Sequence, residues 1–489
     1  MLSVVPLRFV MAIFYFAMIA ALFIGVTSCG LALRDTVGQG SSEVQPVDPY
    51  MTPRPAPALP RTAIEPLVVE PGQTVVSLTF DDGRASNAMA GRMLAEHGLA
   101  GTFFVSSGKI GEPGFLTLSD LDELALLGNE IGGHTAMHID VESADLDEAR
   151  RQVCIDRTTL VDWGFPVRSF SYPFASADED LQRVVAGCGY NSARSLGELQ
   201  PVRVPVNTPP DLTCEFCANT ETIPPANPMY TRAPAQYTND WTMADLERRV
   251  DEAAAAGGWL QLTFHGLCPS DCSDLSYPVE QFDAQLRWLA ERQAAGVILV
   301  RTVGEVIGGP VQPAVSEPLP APVPDGINGL TNPGFEDHTG DTASCWMPSS
   351  FGDNVADFTL VPEGRNGGTA SRVEMRDHID GDAKLIQFTD FGECAPAVAS
   401  GHRYTVSAWY TSTAPTSFSV QYRLPRGGWV YGTQSPPFAP SNDFTLAQWA
   451  LPPIPQNVSA ISFGLSLREN GVLVTDDYSI IGESTGAVP

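Results

Sequence analysis

The sequence predicts an α/β unit, a barrel, followed by an all-β sandwich. Two observations carry this. Across residues 71–309 short apolar runs alternate with helix-like segments, the pattern of strands and helices laid in turn onto one parallel sheet. Beyond Asp325 the period becomes two: Tyr404, Val406 and Ala408 alternate with their neighbours. So do Phe418, Val420 and Tyr422, and then Ile461, Phe463, Leu465 and Leu467, with Gly, Pro and Asn as punctuation.

In order along the first unit, the spacing predicts a strand over 75–80, a helix over 85–97 and a strand over 101–105. A helix over 119–127 follows, with Ser119 as its cap. Then come a helix over 144–163, a strand over 168–172 and helices over 178–186 and 243–256. The strand 259–264, the helix 279–295 and the strand 297–300 complete it. Residues 201–236 are rich in Pro and Cys and carry no periodicity, so they read as an insertion.

The chain of 489 residues exceeds one core at roughly 100–200 residues per domain. Its 43% apolar content excludes wholesale disorder. The 57 acidic against 28 basic side chains, a formal charge of −29, exclude a nucleic-acid partner, because phosphate backbones are repelled.

The start of the chain sets the compartment. Arg8 precedes an apolar run over 9–26, and Val26-Thr27-Ser28-Cys29 follows it. Residues 1–29 therefore read as an export signal ending in small residues. The small residues before Cys29 resemble the lipobox of bacterial lipoproteins, with Cys29 as the lipidated residue. The alternative is that the run 9–26 stays as a single membrane anchor. Both put the remainder outside the cytoplasm, on the outer face of the cell membrane or secreted. Residues 30–70 form a Pro-, Ser- and Thr-rich tether, and the Pro-rich stretch 310–326 links the first unit, 71–309, to the second, 327–489.

Eight further cysteines in an exported chain imply disulfides. Cys154 and Cys188 flank one stretch of the first unit. Cys214 with Cys217 and Cys268 with Cys272 pair locally or with each other, or bind zinc as four thiolates. Cys345 and Cys394 are the two in the last third and are expected to pair.

Four segments carry polar residues that a plain core does not need. Thr79-Phe80-Asp81-Asp82-Gly83 sets two carboxylates directly after an apolar strand, where sites form in α/β folds. Their side chains diverge, so one can bind metal while the other handles a proton; the alternative is an Asp-Asp-Gly turn. His134-Thr135-Ala136-Met137-His138 places two imidazoles at i and i+4, on one face of a helical turn and within reach of one metal. Arg168-Ser169-Phe170-Ser171-Tyr172-Pro173-Phe174 ends a strand in a fixed backbone whose N–H can serve an oxyanion. Gln261-Leu262-Thr263-Phe264-His265-Gly266 leaves a lone histidine at a strand end.

Together and in this order the four segments resemble the polysaccharide deacetylase family, the NodB-homology domain of carbohydrate esterase family 4. The resemblance covers about half the chain and implies a distorted (β/α) barrel of NodB type. It implies Asp81 as catalytic base, Asp82, His134 and His138 as ligands of one divalent metal such as zinc, and His265 as general acid. It also implies Leu262 lining the pocket for the acetyl methyl, and the Phe174 N–H holding the oxyanion. The family's arginine is absent from its usual place before the Pro-aromatic step. Arg168 stands upstream, and Arg194, in Ser192-Ala193-Arg194-Ser195, is the candidate partner of Asp81. The Asp-Trp motif that orients the acid histidine is also missing from its place; Asp240-Trp241 has the right letters but precedes a helix.

Asn332-Pro333-Gly334-Phe335-Glu336 and Val474-Thr475-Asp476-Asp477-Tyr478-Ser479 bracket the second unit. This bracketing resembles carbohydrate-binding modules of the galactose-binding jelly-roll type. Glu336 and Asp477 are candidates for a structural calcium, with turn chemistry as the alternative. Trp346, Trp409, Trp429 and Tyr431 are candidates for stacking on sugars, with Trp429 as the most exposed. The whole reads as an exported, metal-dependent hydrolase removing N-acetyl groups from an extracellular polysaccharide or cell-wall glycan. The rivals are an O-acetyl esterase of xylan type on the same barrel and a non-catalytic glycan-binding protein.

Overall fold

β1 (Thr74–Phe80) is buried at all seven positions, as a strand covered on both faces must be. The computed structural model describes residues 57–142, 144–201, 214, 217–270, 272–424 and 427–483. After β1 come α1 (Asn87–Glu96), β2 (Thr102–Val105), α2 (Leu118–Leu126), β3 (Glu130–Gly133) and α3 (Leu146–Asp162). Then follow β4 (Ser169–Ser171), α4 (Glu179–Gly187), β5 (Ser192–Arg194), α5 (Met243–Ala256), β6 (Gly258–Phe264), β7 (Gly266–Cys268) and β8 (Ser276–Pro278). The unit closes with α6 (Val279–Ala294), β9 (Ile298–Val300) and α7 (Val303–Ile307).

The sheet runs β5-β4-β3-β2-β1-β6, all parallel. β6 pairs with β1 along its full length, β2 joins at Thr79 and Phe80, and β9 joins at Thr74 to Val76. β5 and β6 do not pair directly. The aperiodic insertion fills that gap. Thr231 bridges to Arg194 of β5, and Glu221 bridges to Trp259 of β6. Gln261 on β6 donates to Thr231 Oγ1 at 3.0 Å, so the two seams are tied together.

Helix starts follow their caps. Thr117, not Ser119, caps α2, exchanging hydrogen bonds with Asp120 in a capping box, and Thr242 with Asp245 does the same for α5. Ser119 falls inside the helix because the hydroxyl two residues earlier has the extended backbone a cap requires.

Beyond Asp325 a short hairpin of β10 (His338–Thr339) and β11 (Thr342–Ala343) precedes ten longer strands that build two five-stranded antiparallel sheets. One orders as Trp346–Phe351 (β12), Asp382–Gln387 (β15), Ala460–Leu467 (β20), Thr416–Arg423 (β17) and Trp429–Gln434 (β18). The other orders as Val355–Val361 (β13), Ala370–Arg376 (β14), Gly471–Gly482 (β21), Tyr404–Ser412 (β16) and Ser441–Ala450 (β19). Their inward residues, Tyr404, Val406 and Ala408 from one sheet and Phe418, Val420 and Phe463 from the other, share one core.

Four disulfides join Cys154–Cys188, Cys214–Cys217, Cys268–Cys272 and Cys345–Cys394, with Cα atoms 4.9, 5.2, 5.6 and 4.9 Å apart. The two short pairs thus close on themselves, which leaves no thiolate there for zinc. The bonds are consistent with export to an oxidising compartment. Cys29 and the run 9–26 lie outside the described residues; among the described residues no helix is long and apolar enough to cross a membrane.

Candidate active site

The carboxyl ends of β1, β3, β4, β5 and β6 converge, and each contributes to one cluster. The Asp81 N–H continues the β1–β6 ladder by donating to the Phe264 carbonyl at 2.9 Å, which sets Asp81 beside the turn that carries His265. Asp82 then takes a left-handed backbone (φ 71°), turning its side chain away from that of Asp81.

Asp82 Oδ1 faces His138 Nε2 at 3.0 Å and His134 Nε2 at 3.6 Å. It is buried and lacks a hydrogen-bond partner, while Oδ2 accepts from Arg84 Nε at 3.0 Å and Nη2 at 2.9 Å. Among the described residues, these three form the group whose ligand atoms, all within 4.8 Å of one another, can hold a metal ion. The donor set fits a divalent transition cation: two imidazole nitrogens and one orphaned carboxylate oxygen. Burial would raise the Asp82 carboxyl, but His134 and His138 override it and hold it far below the usual range.

The loop is not helical. His134 and His138 follow β3 in irregular backbone, with Thr135 (φ 62°) and His138 (φ 56°) both left-handed. The i, i+4 spacing therefore reaches one metal through a tight loop rather than through one face of a helix. His134 Nδ1 lies 2.7 Å from the Ser171 carbonyl and donates to it, which presents Nε2 as the free lone pair. Its N–H donates to Asp156 Oδ2 at 3.0 Å, and Ser107 N–H donates to Asp156 Oδ1 at 2.9 Å. Burial pushes Asp156 up to about 6. Asp156 and Arg84 escaped the sequence reading, as did the supporting role of Ser171; no local pattern marks a residue that acts by holding another.

Asp81 is buried against Arg194, whose Nη2 lies 2.6 Å from Oδ1 and also bonds Oδ2 and the Ser171 hydroxyl. Burial alone would raise Asp81, but Arg194, with His134 and His265, holds it below the ordinary carboxylate value. Arg168 points elsewhere, donating to the carbonyls of Thr62, Pro166 and Gly309.

His265 follows β6, with its carbonyl held by Asn87 Nδ2 at 2.6 Å. Burial pushes its imidazole below the usual value against the pull of Asp82 and Asp81. Its Nδ1 is buried without a hydrogen-bond partner. Asp240 does not orient it: Asp240 accepts from the Thr238 hydroxyl, and Trp241 packs on Tyr237. Phe174 is left-handed (φ 57°), 57% exposed, and its ring lies 4.9 Å from that of His138. Leu262, the register partner of Leu78, is buried in the barrel core two residues before the end of β6.

On the sandwich, Tyr431 is 62% exposed, but Trp429 is not the free aromatic expected. It is half-buried against Ala136, Met137 and Phe391, because its hairpin packs on the barrel. Trp346 is core, and Trp409 lies under the Arg365 guanidinium at 3.7 Å. Asp477 Oδ2 accepts from Arg365 Nη1 at 2.8 Å and Glu336 Oε1 accepts from the Thr369 N–H at 2.9 Å. Both carboxylates are thus engaged with residues distant in the sequence, Asp477 with Arg365 and Glu336 with Thr369.

Comparison with known proteins agrees with this geometry. Residues 69–193 match the family described as polysaccharide deacetylase. Bacillus subtilis YxkH, named for the same family, is 27% identical over 124 residues, which are 25% of this chain and 44% of that protein. The chain thus spans less than half the length of that relative. The Xyl-CE4 domain of a multidomain xylanase from the Trinervitermes trinervoides hindgut metagenome is 17% identical, with a TM-score of 0.31, over 48% of this chain and 89% of that one. The CBM22-1 xylan-binding domain of Paenibacillus barcinonensis Xyn10C is 16% identical, with a TM-score of 0.23, over 30% of this chain and 90% of that one. Scores this low add no argument of their own. On the family match, and with the site just described, residues 69–193 are similar to the polysaccharide deacetylases, a family of hydrolases.

Proposed function

We propose that the protein removes N-acetyl groups from an extracellular polysaccharide or cell-wall glycan, releasing acetate and leaving the amine. The observation that carries this is the convergence of the orphaned Asp82 Oδ1 with both imidazole Nε2 atoms, beside the separate Asp81–Arg194 pair. In this reading Asp82, His134 and His138 hold a divalent cation, zinc by donor type. When bound, such a cation acidifies water and polarises an acyl oxygen. Asp81, kept ionised by Arg194, accepts the proton of the attacking water. The Phe174 N–H meets the oxygen that gains charge. His265 gives a proton to the departing nitrogen, which otherwise leaves poorly.

One observation favours a second reading. His265 Nδ1 has no carboxylate behind it, so the acid is less supported than amide cleavage demands, and an O-acetyl ester needs that acid less. Acetate release from N-acetylglucosamine oligomers and from acetylated xylan by the purified chain separates the two. Release from the oligomers supports deacetylation at nitrogen; release from xylan alone makes the protein an esterase.

The sandwich, read as a jelly-roll module, presents Tyr431 to glycan or envelope in this proposal. In the same proposal Cys29 carries lipid that keeps the protein on the outer face of the cell membrane.

A further inference from the structure

The two residues at the centre of the His134–His138 loop rest on the C-terminal sandwich. Phe391, with none of its surface exposed, packs against Ala136 and Met137, and Ile139, Ile155, Leu319 and Trp429 complete the cluster. The Phe391 N–H donates to Glu148 Oε1 at 2.9 Å, and that oxygen also accepts from Gln152 Nε2 at 2.9 Å. Gln152 Oε1 in turn accepts the Met137 N–H, and the Gln152 carbonyl accepts the Ala136 N–H, both at 3.0 Å. A continuous run of hydrogen bonds therefore joins sandwich backbone to metal loop.

Phe391 is itself held. The Arg423 guanidinium lies 5.2 Å from its ring centroid, and Arg423 Nη1 donates to the Asp390 carbonyl at 2.8 Å. The Asp390 carboxylate accepts the N–H groups of Gly392, Cys394 and Ala395, and the Cys345–Cys394 disulfide ties this turn to the strand beyond Cys345. The loop has no slack on its other side: the Gly108 N–H donates to the Ala136 carbonyl at 2.8 Å, and a Cβ on Gly108 would stand 2.5 Å from Met137 Sδ. The linker also lies on the barrel, with Arg157 donating to the carbonyls of Gln312 and Pro313 at 2.7 and 3.0 Å.

A loop with two non-glycine residues in left-handed backbone persists only where its surroundings over-determine it. We propose that the sandwich supplies that determination. Phe391 is a positioning residue of the metal centre, holding the loop in the conformation that turns both imidazole Nε2 atoms toward Asp82 Oδ1. This rests on the metal reading above and adds that the second domain completes the site rather than only carrying it to a glycan.

The test uses the full chain with Phe391→Ala, Phe391→Leu and, as a control at an exposed sandwich position, Ile379→Ala. The dissociation constant for Zn²⁺ is measured by competition with a chromophoric chelator, beside the melting temperature of the metal-free protein. Phe391→Ala is expected to weaken Zn²⁺ binding about tenfold, the scale of losing a ligand's outer support. Phe391→Leu should restore most of it, and Ile379→Ala should match the wild type. If Phe391→Ala does not fold, Phe391→Leu decides, with binding about threefold weaker expected on the same scale. Wild-type affinity in a folded Phe391→Ala, or in Phe391→Leu where that variant decides, overturns the proposal. A wild-type chain that binds no divalent cation overturns the metal reading and this proposal together.

Discussion

Arg194 and Asp81, 113 residues apart, meet in a buried ion pair in which one guanidinium nitrogen serves both carboxylate oxygens and the Ser171 hydroxyl. Breaking such a pair from one side strands a charge. Arg194→Met should therefore lower unfolding free energy at neutral pH by about 3–5 kcal/mol, whereas Arg194→Met with Asp81→Asn should recover much of the loss. Denaturant titration of the single and double variants checks this; equal losses in both would show that the pair is not the cause.

His134→Ala should abolish stoichiometric cation binding, because it removes one of three donors and the one fixed by the Ser171 carbonyl. Metal content by mass spectrometry after dialysis is the readout. Ser171 holds His134 through its backbone carbonyl, so Ser171→Ala should keep the metal.

Removing His265 should separate substrates. His265→Ala should lose about 10²–10⁴-fold in turnover on an N-acetyl sugar. An aryl acetate, whose leaving group needs no proton, should lose far less. Equal loss on both would assign His265 a structural role.

Asp390 gives a pH signature remote from the metal. Burial, reinforced by Glu148, pushes its carboxyl up to about 6 from an ordinary 3.8. A raised folded value means the native state keeps this proton longer than the unfolded chain. Its contribution to stability is thus full below about 4 and fades as pH rises to about 6, by about 3 kcal/mol at ~1.4 per unit. Asp390→Asn should remove that slope: the stability of the wild type minus that of the variant should fall between pH 4 and pH 7. A flat difference would sink the assignment.

The strand–helix alternation was legible because buried parallel strands such as β1 are apolar throughout and sit between amphipathic helices. The sandwich was legible for the opposite reason: Tyr404, Val406 and Ala408 alternate because one face of β16 meets the core. What sequence could not show was three-dimensional closure. The spacing of His134 and His138 is the same on a helix and in a left-handed loop. Trp429 looked free because nothing local foretells that Phe391, Ala136 and Met137 gather on it. Three-residue strands such as β5 carry too few positions for any period to register.

The insertion that bridges β5 and β6 also bears on solubility. Where two sheet margins face each other without pairing, their free N–H and C=O groups are templates for another chain. Thr231 and Glu221 occupy those groups: Thr231 donates to the Ala193 carbonyl and accepts the Ser195 N–H, and Glu221 exchanges both backbone hydrogen bonds with Trp259. A shortened chain lacking this stretch would expose two adhesive borders beside a catalytic cleft. The segment without periodicity therefore keeps both sheet margins paired.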